Sequence, residues 1–174
     1  MIGANIPAPP AAAGGGSKTL ARFTAMDNQP TAVTFATLDT RNSIAVLDFD
    51  DTTNEFAVFL DGVPEGADLS SGIVVRLKWA ATTATSGAVR WGAEIMNLDT
   101  DIDSNSFDTA TEANGTTAAT SGVPNLTAIT CTTIDSIVAG DFFRLRVYRD
   151  SADTGNDTMT GDAELIAVEV RSAA

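Results

Sequence analysis

In "GIVVRLKWA" (residues 72–80), Ile73, Val75, Leu77 and Trp79 fall on alternate positions, and Arg76 and Lys78 occupy the places between them. Successive side chains of an extended chain point to opposite faces, so a period of two specifies a strand with one buried face and one wetted face. The pattern returns in "AVRWGAEIMNL" (88–98), where Val89, Trp91, Ala93 and Ile95 alternate. It returns again in "DFFRLRVYR" (141–149), with Phe143, Leu145 and Val147 inward. A helix needs apolar residues three and four apart, and no segment shows that spacing except a single turn at "IDSIVAG".

Around these strands the chain is punctuated by short polar turns. "TAVTFATL" (31–38) reads as a strand followed by a turn at "DTRNS", and "SIAVLDFD" (43–50) and "EFAVFLDG" (55–62) follow. A long polar loop separates residue 98 from "NLTAITCTTI" (125–134), and "AELIAVEVR" (163–171) closes the series. Seven or eight one-sided strands bury their apolar faces by packing two antiparallel sheets face to face. The expected fold is therefore an all-β, antiparallel β-sandwich of jelly-roll type from about residue 31 onward. Its expected core holds Val75, Leu77, Trp79, Val89, Ile95, Leu145 and Val147.

With 174 residues the chain holds one domain and an appendage. The boundaries read as an extended arm over residues 1–17 and the sandwich over 18–174. The arm, "MIGANIPAPPAAAGGGS", precedes the first charged residue, Lys18. It lacks the basic start and unbroken apolar run of a secretory signal. Its composition cannot bury enough apolar surface to order itself, so a tether that orders on a partner is the physical use for it. Ile2, Ile6, Pro7, Pro9 and Pro10 are the expected partner-binding residues, with Gly14–Gly16 as the hinge.

The chemistry is restricted by composition. There is no histidine, so a Ser-His-Asp triad, a Cys-His dyad and a His-ligated zinc site cannot be assembled within one chain. "AAAGGGSKT" lacks the spacing of a phosphate-binding loop. The net charge of −13 repels a phosphate backbone, which argues against direct nucleic-acid binding, and no stretch is apolar enough to span a bilayer. The lone Cys131 reads as a small buried strand residue. Asp48, Asp50 and Asp51 in "VLDFDD" offer the paired carboxylates of a glycosidase. The aromatic platforms such a site needs are missing, because Trp79 and Trp91 fall on apolar strand faces. The expectation is a protein without catalytic residues, cofactor or metal.

One acidic stretch stands out. Asp99, Asp101 and Asp103 alternate as in a calcium loop, but the sixth and twelfth positions hold Ser104 and Ala110 where Gly and Glu are needed. The stretch reads as a solvated loop, with a looser oxygen-ligand site as the alternative. No basic residue lies between Trp91 and Phe143, whereas Arg144, Arg146 and Arg149 share one strand. Such segregation fits either cross-strand pairing within the chain or an acidic loop of one subunit meeting basic residues of another.

"LDTRNSIAVLDFDD", "GIVVRLKWAATTATSGAVRWGAEI", the "DIDSNSF" loop and "AGDFFRLRVYRDSADTGNDTMTGDAELIAVEVR" resemble a group of small structural proteins of tailed bacteriophages and prophages. The resemblance covers roughly residues 36–171 and does not include the arm. It implies a virion component, with a capsid decoration or cement protein on the outer head surface as the expectation. A tail, baseplate or fibre part with a carbohydrate-recognition role is the alternative. The expected partners are further copies of the chain, as a trimer suited to threefold shell positions, and the major capsid protein or another virion protein.

Overall fold

A computed structural model describes residues 17–98 and 106–174. The ten strands among them are β1 (Thr19–Thr24), β2 (Thr37–Arg41), β3 (Ile44–Phe49), β4 (Glu55–Gly62) and β5 (Ile73–Ala81). They continue with β6 (Ala88–Asn97), β7 (Thr111–Thr116), β8 (Asn125–Cys131), β9 (Phe142–Arg149) and β10 (Ala163–Ser172). One 3₁₀ turn, Ala25–Asp27, follows β1 and is held by the Asp27 carboxylate accepting from the Thr24 N–H and hydroxyl.

The strands form two antiparallel sheets. The first runs β2-β3-β10-β5-β8 and the second β4-β9-β6-β7. The chain crosses from one sheet to the other at every connection from β3 to β10 except the β6–β7 hairpin. The strand order β3-β10-β5-β8 facing β4-β9-β6-β7 is a jelly roll. Two additions decorate it. The β2 strand folds back on β3 through a two-residue turn in which Asn42 and Ser43 both have positive φ, the geometry that suits the twist of a hairpin. The β1 strand pairs with residues 167–171 of β10, while β3 pairs with residues 163–165 of the same edge. A bulge at Ile166 lies where one partner gives way to the other.

Between the sheets lies one core. Val75, Leu77, Trp79, Val89, Ile95, Leu145 and Val147 are all essentially inaccessible, as the alternation requires. Trp91 meets Phe49 and Trp79 edge to face, at centroid distances of 5.1 and 5.8 Å. The Trp79 indole N–H donates to the Thr127 hydroxyl at 2.9 Å. Cys131 is buried, and burial pushes its thiol up to about 11.

The architecture differs from the sequence expectation at three elements. Residues 31–36 are not a strand; the strand is Thr37–Arg41, and the turn shrinks to Asn42–Ser43. The polar segment after residue 98 contains β7, and the sandwich gains β1 ahead of residue 31. At "IDSIVAG" the expected single turn is present, with the Ile137 N–H on the Ile134 carbonyl.

Candidate interaction surfaces

Residues 28–36 run along the open side of the sandwich and tie its two sheets together. The Gln29 N–H donates to the Val58 carbonyl, the Phe56 N–H to Thr34 and the Ala36 N–H to Phe56. These bonds cover the free edge of β4, and Pro30 helps keep the segment irregular. The chain then enters β2, the edge strand of the first sheet. Ala36 and Leu47 face inward, but Met26, Val33, Phe35 and Leu38 are exposed. Together with Ile44 they make five of the nine large apolar side chains that stand exposed among the described residues. Met26, Phe35 and Leu38 share the rim of one shallow depression floored by Ala36 and Leu47. Large exposed apolar side chains gathered on one edge are unusual for a surface that meets only water.

The outer face of the second sheet is different, because its charges are consumed internally. Arg146 of β9 pairs with Glu94 of the adjacent β6, and its guanidinium lies between the rings of Phe107 (4.3 Å) and Phe56 (5.1 Å). Arg90 pairs with Glu112, which also accepts from the Tyr148 hydroxyl at 2.7 Å. The Tyr148 ring lies directly over Gly92, where any Cβ would collide with it. Burial and the Glu112 carboxylate raise the Tyr148 phenol far above its ordinary range. Of the two sequence alternatives for the segregated charges, pairing within the chain accounts for Arg146 and Glu94.

Arg149 does not share that face. It points into the sandwich, fully buried, and donates to both oxygens of Asp157 at 2.7 and 2.9 Å. Its remaining N–H groups reach the carbonyls of Met159 (2.6 Å), Gly161 (2.8 Å) and Phe49 (3.3 Å). The guanidinium thus fastens the loop before β10 to the end of β3.

Beside it stand Asp50, Asp51 and Asp162, with one oxygen of each within 4.8 Å of the others. That spacing suits a single cation. Two of the three already have work in the loops: Asp50 accepts from the Thr52 and Thr53 N–H groups and Asp51 from the Gly161 N–H. Burial and the neighbouring Asp50 and Asp51 charges raise Asp162 above the usual carboxylate range.

Asp48, the third carboxylate in "VLDFDD", turns to the outer face of the first sheet beside Glu164. Burial and the Glu164 charge push it up to about 6. The three carboxylates of that motif therefore do not converge on one groove, and Trp79 and Trp91 lie in the core. The candidate arm residues Ile2, Ile6, Pro7, Pro9 and Pro10, and Asp99, Asp101 and Asp103, lie outside the described residues. The exposed edge was not legible as a surface, because "TAVTFATL" has the composition of a buried strand. Pro30 just ahead of it was the available sign of a break.

No family model and no curated protein matches the chain. Solved structures with similar folds include a cycloisomaltooligosaccharide glucanotransferase from Paenibacillus sp. (10% identity, TM-score 0.45). That match covers 85% of this chain and 18% of the glucanotransferase, so the chain spans under a fifth of its length. A carbohydrate-binding module that recognises mannan, TmCBM27, matches at 10% identity and TM-score 0.48, covering 92% of this chain and 100% of the module. A CBM4 protein matches at 11% identity and TM-score 0.34, covering 87% of this chain and 81% of that one. The jelly roll itself rests on the strand order and pairing of this chain.

Proposed function

We propose that this chain is a structural protein of a tailed-phage virion, a head decoration or cement protein that acts by binding neighbouring subunits and not by catalysis. The sequence resemblance supplies the virion context. The observation that carries the binding role is the exposed apolar edge formed by Met26, Val33, Phe35 and Leu38. A lattice protein needs such an edge to face a neighbour, and a closed trimer would shield it from solvent. The arm at residues 1–17 adds reach to the same assembly.

Quantitative mass spectrometry of purified particles, with antibody labelling in electron micrographs, tests the reading. The expected result is a fixed copy ratio to the major capsid protein, with label on the head. Label on the tail, or absence from particles, refutes it. The double variant Phe35→Asp, Leu38→Asp should fold normally and occupy particles poorly, since both side chains are exposed.

A further inference from the structure

The outer face of the first sheet carries a depression of about 450 Å³ bordered by Arg22, Arg76, Lys78 and Leu126. Strand register arranges the bases in two adjacent rows. Arg22, Glu169, Arg76 and Ala128 lie side by side across β1, β10, β5 and β8. Thr24, Ala167, Lys78 and Leu126 form the next row. Ala167 is short, so the middle of the second row is open.

The acceptors in this depression are already used. Glu169 accepts from Thr19, from two nitrogens of Arg22 and from Arg76, all between 2.8 and 3.3 Å. The donors are not used up. Arg22 and Arg76 each keep further N–H groups, and exposed Lys78 has no hydrogen bond or ion pair among the described residues. One carboxylate against three cations leaves a local excess of positive charge on a chain of net charge −13. A donor-rich, acceptor-saturated site selects carboxylates.

Spacing narrows the partner. Arg76 and Lys78 lie two residues apart on one strand, so their side chains repeat at about 6.6–6.8 Å. An extended segment with carboxylates at alternate positions has the same repeat. The sequence places carboxylates at alternate positions in "LDTDID", at Asp99, Asp101 and Asp103. We propose that the depression bordered by Arg22, Arg76 and Lys78 docks the Asp99–Asp103 segment of a second copy of this chain. The contact is heterologous, basic face to acidic loop, and closes into a ring when the rotation permits. It names the self-association within the assembly role above, and rests on that reading only for its setting. Arg144, Arg146 and Arg149 are not the bases involved: Arg146 is paired internally, Arg149 is buried, and all three lie on the strand of the other sheet.

The test uses the full chain in sedimentation velocity at low and high salt, with a synthetic LDTDIDSN peptide as the direct probe. The wild type should self-associate at micromolar concentration, more weakly at high salt, and the peptide should shift the backbone amide resonances of Arg76 and Lys78. Lys78→Glu should weaken both by about tenfold, the sum of a lost attraction and an added repulsion. Asp101→Lys in the same chain should restore self-association. A wild type that stays monomeric, an association indifferent to Lys78→Glu, a charge swap without rescue, or a peptide that shifts other residues overturns the proposal. Particle occupancy reads the virion role and solution association reads this contact, so the two can fail separately.

Discussion

Replacing Arg149 by Met tests how much of the sandwich depends on one buried guanidinium. Met fills most of the aliphatic volume and removes every donor. Asp157 would then be a buried carboxylate with the Arg90 N–H, at 3.0 Å, still donating to it. The carbonyls of Phe49, Met159 and Gly161 would lose a partner at the same time. Stranding one member of a buried ion pair costs about 3–5 kcal/mol, and each carbonyl adds a further share that overlaps with the first. We expect a loss of about 5 kcal/mol, comparable with the whole stability of a marginal domain. For a chain of this length that is a fall in Tm of roughly 10–20 °C. Arg149→Lys keeps the charge but not the fork of donors, and should lose about half as much. Substituting Asp157→Leu alongside Arg149→Met removes the stranded charge, so the double variant should lose at least about 2 kcal/mol less than the sum of the singles. Urea unfolding followed by the fluorescence of Trp79 and Trp91, both in the core, gives each value. A loss under about 1 kcal/mol for Arg149→Met, or strict additivity in the double variant, would refute the account.

Gly92→Ala should cost about 1–3 kcal/mol, because the new methyl group displaces the Tyr148 ring; adding Tyr148→Ala should remove most of the clash, and chemical denaturation measures both. Asp48, raised to about 6 in the fold from an unfolded value near 3.9, favours the native state fully when protonated and loses that contribution as pH rises from about 4 through 6. Asp48→Asn should therefore stabilise by about 1 kcal/mol at pH 7.5, a figure discounted for partial exposure, with the gain gone at pH 4 in paired denaturation curves. Cys131, buried and raised to about 11, should ignore Ellman's reagent in the native state and react completely in urea. Removing residues 2–16 leaves every described strand intact, so circular dichroism should be unchanged, and under the proposed virion role attachment to particles should fall.

The period-two strands were legible because Ile73 to Trp79 and Phe143 to Val147 carry large apolar residues on one face only. The elements missed are those in which a neighbour, and not the strand itself, supplies the bulk. In β7, Gly115 lies against Thr127 and the Trp79 ring, where no side chain would fit, so "TEANGT" shows no apolar alternation. In β1 the inward pair is Ala21 and Phe23, too slight a signal beside an Ala-rich leader. The Arg149 anchor was hidden for another reason. An arginine at a strand end normally reads as solvated, and the acid that receives it, Asp157, sits in a turn eight residues away. Of the candidate surfaces, the wetted side of "GIVVRLKWA" was visible from Arg76 and Lys78, whereas Arg22 and Glu169 joined them only through long-range pairing.

The position of β10 sets the order in which this chain can become a protein. It is an interior strand, paired along one edge with β5 and along the other with β3 and β1. While the ribosome is still short of residue 163, the first sheet lacks its centre, and the partners meant for β10 expose unpaired edges. Folding of this sheet therefore waits on synthesis, and the β1–β10 pairing joins segments about 150 residues apart, a topology that favours slow closure. Fragments that stop early should be captured by chaperones or proteases before they accumulate.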